Sequence, residues 1–97
     1  MQSIIQHDRD RCYICGRNGV GDPLECHHVF GAANRDHSEE DGMKVYLCGS
    51  RCHRAGLNSV HQNRKVADKL KAEAQKVWEA TYGSREDFRN RYGKSYL

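Results

Sequence analysis

Two pairs of cysteines define the first piece of chemistry this chain can support. Cys12 and Cys15 stand in Cys-Tyr-Ile-Cys-Gly, and Cys48 and Cys52 in Cys-Gly-Ser-Arg-Cys. Two thiolates flanking a short turn, with glycine next, can be aimed at a single ion. Two such pairs predict a closed, tetrahedral structural zinc site made of Cys12, Cys15, Cys48 and Cys52. His53 follows Cys52 directly and is an alternative fourth ligand. The remaining cysteine, Cys26, is read as a small core residue, the commoner fate of a lone thiol.

Histidines supply the second piece. His27 and His28 are adjacent at the end of a predicted strand. On a regular strand they point to opposite faces, but at a strand end beside a loop both can reach one site. One imidazole, with a pKa near neutrality, suits the removal of a proton from water. Others can hold a divalent ion against a phosphate and its departing oxygen. His53, fixed by the zinc staple, and His61, with Asn63 close to the start of a helix, complete the constellation. His7 and His37 have no partner in the sequence and are read as exposed.

These residues need a scaffold, and the composition limits what it can be. The chain has 97 residues, 37% of them hydrophobic and 30% charged. One domain with a small core is expected, stapled by metal. The segment from Met1 to Asp8 carries no apolar run or cleavage site, and no membrane span is visible. A cytoplasmic, reducing compartment is therefore expected, where metal is favoured over disulfides. The formal charge of +3 permits an encounter with nucleic acid without requiring one.

The predicted order begins with the cysteine knuckle. Strands follow at Leu24–Phe30 and Lys44–Cys48, separated by a polar, exposed loop from Gly31 to Gly42. A helix is predicted from about Ser59 to Tyr82, with Val66, Leu70, Ala74, Val77 and Trp78 on its buried stripe and Gly83 as its C-cap. Ser84 opens a second helix through Phe88 and Tyr92, closed by Gly93. The fold class is α+β.

The run Cys12 to Gly16, the stretch Glu25-Cys26-His27-His28-Val29-Phe30-Gly31, and Val45 to Cys48 with Cys52-His53 resemble HNH (His-Me finger) endonucleases. The Val60 to Asn63 step and the Tyr92 to Leu97 tail resemble the small bacteriophage and prophage members. The resemblance covers nearly the whole chain. It implies a ββα-metal core over residues 12–63, carrying a structural zinc, with the finger helix and a C-terminal helix over 59–97. It implies that His28 is the general base and that His27 is a ligand of a catalytic Mg²⁺ or Mn²⁺, with Zn²⁺ or Ni²⁺ as substitutes in vitro. His53, or a residue of the finger helix (His61 or Asn63), would complete that site, with the choice between His53 and His61 left open. The family's middle Asn has no counterpart, because Met43 or Lys44 falls in its place. The implied reaction is hydrolysis of a DNA phosphodiester, leaving a 5′ phosphate, with RNA an open alternative. Arg64, Lys65 and Lys69 would contact the backbone. The modest charge leaves room for a recruiting protein or a homodimer.

Two other readings fit the same residues. In one, the histidines bind a second structural zinc in a non-catalytic binding module. In the other, the helical C-terminal third is an interaction surface of an accessory subunit, with Trp78 or Tyr82 partly exposed. The helical stripe favours a buried Trp78.

Overall fold

The computed structural model describes all residues from Met1 to Leu97. Strands β1 (Leu24–His28) and β2 (Lys44–Cys48) form an antiparallel hairpin in which His27 faces Val45 and His28 faces Lys44 across the ladder. β1 ends before the predicted Phe30. One further bond, from the Val29 N–H to the Met43 carbonyl (3.0 Å), carries the chain into the core, where Val29 and Phe30 are buried.

The segment from Gly31 to Gly42 is not the extended loop predicted from its polarity. It holds a 3₁₀ turn, Ala32–Asn34, and a helix, α1 (Arg35–Asp41). Gly42 closes α1 at φ 71°, where a side chain would strike the Gln2 carbonyl. Apolar periodicity does not reveal α1, because its inward residues are Ser38 and Asp41. The Ser38 hydroxyl donates to the Met43 carbonyl and accepts the Phe30 N–H. Asp41 accepts from Trp78 Nε1 (2.8 Å), the Tyr92 hydroxyl (2.7 Å) and Arg91 Nε (2.6 Å). A buried carboxylate is tolerated when satisfied in this way. It ties α1 to both later helices.

β2 runs directly into a single wide helical turn, Gly49–Arg54, and then into an irregular segment. Helix α2 (Arg64–Thr81) begins later than the predicted Ser59 because Asn63 caps it, accepting the Val66 N–H at 3.2 Å. Its buried face is Leu70, Ala74, Gln75 and Trp78. It ends at Tyr82, whose N–H reaches the Trp78 carbonyl, so Gly83 follows the cap rather than forming it. Helix α3 (Arg85–Tyr92) opens on a reciprocal capping box of Ser84 and Asp87 and closes at Gly93 with φ 96°.

Phe30, Trp78, Phe88 and Tyr92 form the aromatic part of the core. Ring centroids lie 4.6 Å apart for Phe30–Tyr92 and 4.7 Å for Phe88–Tyr92. Met43, Val45 and Leu47 add the aliphatic part. Trp78 is buried on the stripe that predicted it. The architecture is a small α+β unit: a hairpin, a following helix, and a C-terminal helix packed on that helix. No helix is long and apolar enough to cross a membrane.

Candidate metal centres

The four sulfurs of Cys12, Cys15, Cys48 and Cys52 lie within 4.8 Å of one another. Cys12 and Cys15 sit on a knuckle closed by the Gly16 N–H to the Cys12 carbonyl (2.9 Å). The Tyr13 N–H pins that knuckle to β2 through the Tyr46 carbonyl (2.8 Å). Cys48 ends β2 and Cys52 rides the wide turn after it.

The sulfurs of Cys15 and Cys48 are 3.5 Å apart. That is far beyond a disulfide bond of about 2.05 Å. It is close to the ~3.8 Å between two thiolates on a tetrahedral zinc with bonds of about 2.3 Å. Cys12, Cys48 and Cys52 are buried, and Cys15 lies at the rim.

Burial makes most of the quartet hard to ionise without a counter-charge. Burial opposes ionisation of Cys15, but hydrogen bonds from Arg17 and from its thiol neighbours bring it down to about 6. Burial, reinforced by those same neighbours, pushes Cys48 up to about 11 and Cys52 higher still. Four thiolates need a cation among them, and the set suits a structural Zn²⁺. Cys52, rather than His53, completes this set.

His53 belongs to a second cluster. Ligating nitrogens of His27, His53 and His61 also lie within 4.8 Å of one another. Ring centroids are 5.0 Å apart for His27–His53, 5.5 Å for His27–His61 and 4.8 Å for His53–His61. His27 comes from β1, His53 from the wide turn and His61 from the irregular segment before α2. Two backbone bonds place His61: Val60 N–H to the Cys52 carbonyl (2.9 Å) and His61 N–H to the His53 carbonyl (3.2 Å). The same two residues thus connect the cysteine quartet to the histidine cluster.

Glu25 sets the orientation of His53. Its Oε1 is 2.9 Å from His53 Nδ1. A proton on Nδ1 makes that bond and leaves the Nε2 lone pair free for a metal. This bond from His53, aided by Arg54, holds the Glu25 carboxyl below its ordinary range. Burial, then the charge of His53 and His61, pushes His27 down to about 3. His61 is lowered by burial and by His53. Neutral imidazoles are the form in which histidine ligates a metal.

His28 points to the other side of β1, where its Nε2 is 3.0 Å from Glu39 Oε1 on α1. Glu39 also accepts from Lys44 Nζ (2.8 Å) and the N-terminal amine (3.2 Å). Hydrogen bonds from Lys44, His28 and that amine bring Glu39 down to about 2. His28 nevertheless borders the same cavity of about 390 Å³ as His27, His53 and His61, because both β1 histidines lie at the strand end.

Other predicted positions lie elsewhere. The Asn63 side chain caps α2 and contacts Leu57 and Asn58. Arg64 borders an adjoining cavity, Lys69 lines a separate one beside Tyr13 and Ile14, and Lys65 lines none. Cys26 is exposed, not in the core, because its face of β1 is uncovered there. His37 is half-buried, with Nδ1 3.0 Å from the Arg91 carbonyl. Glu25 and Glu39 escaped notice in the sequence. Strand alternation places Glu25 on the face of His27, a signal present in the sequence; Glu39 lies on α1, which apolar periodicity does not reveal.

Comparison with protein-family models, with curated proteins and with solved structures finds no match to this chain.

Proposed function

We propose that the protein is a metal-dependent endonuclease that hydrolyses DNA phosphodiester bonds. The observation that carries this reading is the division of labour among four histidines on one cavity. Three imidazoles converge to within ligating distance of one another, while His28 borders the same cavity with its Nε2 engaged by a carboxylate.

The residues then take distinct roles. Glu39 accepts the Nε2 proton of His28, which leaves the Nδ1 lone pair free to take a proton from water. Lys44 fixes Glu39 in place. The water oxygen forms a bond to phosphorus, the bond from phosphorus to the 3′ oxygen breaks, and the product carries a 5′ phosphate. Glu39 stabilises the imidazolium that His28 becomes. His27, His53 and His61 would hold a divalent ion, which supplies charge neutralisation at the phosphate and the departing oxygen. Glu25 keeps His53 in the ligating tautomer. The cysteine quartet fixes the segment on which His53 and His61 stand. Resemblance to HNH nucleases in the His27-His28 pair supports the same assignment.

Conversion of supercoiled plasmid by zinc-loaded protein, with Mg²⁺ or Mn²⁺ added, tests it. Purified wild type should nick the DNA, and His28→Ala should lose at least about a hundredfold of that rate with zinc content unchanged. Undiminished nicking by His28→Ala, or two tightly held zincs with no cleavage by wild type, would refute the proposal.

A further inference from the structure

The tail after α3 has no role in the chemistry above, yet the fold holds it closely. Gln75, fully buried on α2, donates to Ser95 Oγ (2.9 Å) and accepts the Tyr96 N–H (2.7 Å). A buried amide spent on a chain end fixes that end against α2. The consequence is a second cavity, of about 360 Å³, beside the histidine cluster. It shares His61, Val60, Ala67 and Lys71 with the first, so the two form one continuous groove.

The second cavity is basic. Arg64, Lys71 and Lys94 line it, against one acid, Asp68, which already faces Arg64 at 3.7 Å. Lys71 and Lys94 come from different elements but converge on one ring. Their Nζ atoms lie 5.3 Å and 4.9 Å from the centroid of Tyr96. Neither lysine takes part in an ion pair. Two ammonium groups on one cavity with no carboxylate partner leave it with unneutralised positive charge, which an anion would satisfy. Tyr96 in turn leans on Phe30 (5.7 Å), so the platform rests on the aromatic core.

We infer that this second cavity is a subsite for the DNA backbone phosphate next to the one cleaved, gripped by Lys71 and Lys94 over Tyr96. The inference rests on the nuclease reading for the word "cleaved", but the anion site stands on its own geometry. Lys71, which borders both cavities, links the two phosphate positions. The basic residues that matter are then Lys71, Lys94 and Arg64. Lys65 and Lys69 are not among them, because they lie off the groove.

The test uses zinc-loaded, full-length His28→Ala protein, which should not cleave its probe. Fluorescence anisotropy of a labelled 12-nucleotide single strand is followed over a range of salt concentrations. Adding Lys71→Ala and Lys94→Ala together should weaken binding by about tenfold or more. It should also shallow the slope of log affinity against log salt by about 0.7, the value for one phosphate contact on a single strand. Lys65→Ala with Lys69→Ala serves as a charge-matched comparison and should change far less. Lys71→Gln with Lys94→Gln, which keeps the side-chain stems over Tyr96 and removes only the charge, should show the same loss. Equal losses in the two lysine pairs would overturn the subsite. So would inorganic phosphate competing as well as the oligonucleotide, which would mark a free-anion site. Wild type that nicks plasmid while Lys71→Ala/Lys94→Ala binds DNA normally would sink the subsite and leave the nuclease reading standing. Wild type that does not nick, with binding still lost in Lys71→Ala/Lys94→Ala, would keep the anion site and sink the nuclease reading.

Discussion

The two ligand clusters of this molecule are separated by a single peptide bond, Cys52 to His53, yet they are built on opposite principles. The cysteine quartet supplies four ligands, three of them buried. An ion there has no free position, and its work is to hold the knuckle to the hairpin. The histidine cluster supplies three imidazoles that border a cavity, with a fourth histidine alongside. An ion held by three such ligands would keep a position open. The contrast is one of ligand count and burial: four ligands, mostly buried, against three at the edge of a cavity.

Breaking the staple should have the largest effect. Cys48→Ser removes a buried ligand and should unfold the domain at room temperature, a loss beyond the ~5 kcal/mol at the low end of small-domain stability. Circular dichroism with zinc analysis would show it; a folded, zinc-bound Cys48→Ser protein would mean the quartet is not a staple. Breaking the open cluster should be milder for the fold. His61→Ala should keep the fold and the first zinc but lose the second ion, read by metal stoichiometry after dialysis. Unfolding of His61→Ala would erase the distinction between the clusters.

Glu25→Gln sharpens the contrast further. It leaves all three imidazoles in place but removes the carboxylate that orients His53. Affinity for the second ion should fall about 10- to 100-fold, with thermal stability nearly unchanged. An unaltered affinity by Co²⁺ titration would show that His53 needs no such partner. The smallest effect concerns Glu39. Its carboxyl titrates near 2 in the fold against an ordinary value of 4.5. Between those values the unfolded chain binds the extra proton, so stability rises with pH there and is lost on acidification. Glu39→Gln should flatten that part of the acid-unfolding curve slightly, since the side chain is partly exposed. An acid curve identical to wild type would remove Glu39 as a partner of His28.

Ligand chemistry was the most legible part of the sequence. The spacing of Cys12, Cys15, Cys48 and Cys52 announces their cluster in residue type alone, and His27, His53 and His61 stand out as candidate ligands in the same way. The hairpin was readable from alternation, and α3 from its capping residues. Helix α1 was not readable, because Ser38 and Asp41 bury polar groups where periodicity looks for apolar ones. The start of α2 was misplaced because Val60 is buried and apolar but lies in the segment before the cap. Lys71 and Lys94 were passed over for Lys65 and Lys69. The tail's return to α2 depends on one buried amide, Gln75, and nothing in local sequence announces such a long-range bond.

Crystals soaked in Mn²⁺ and measured for anomalous scattering test the open cluster most directly. We predict one peak enclosed by the ring nitrogens of His27, His53 and His61, facing the cavity that His28 borders, and absent in His61→Ala. No peak there, or an ion sealed by a fourth protein ligand, would contradict an open metal centre.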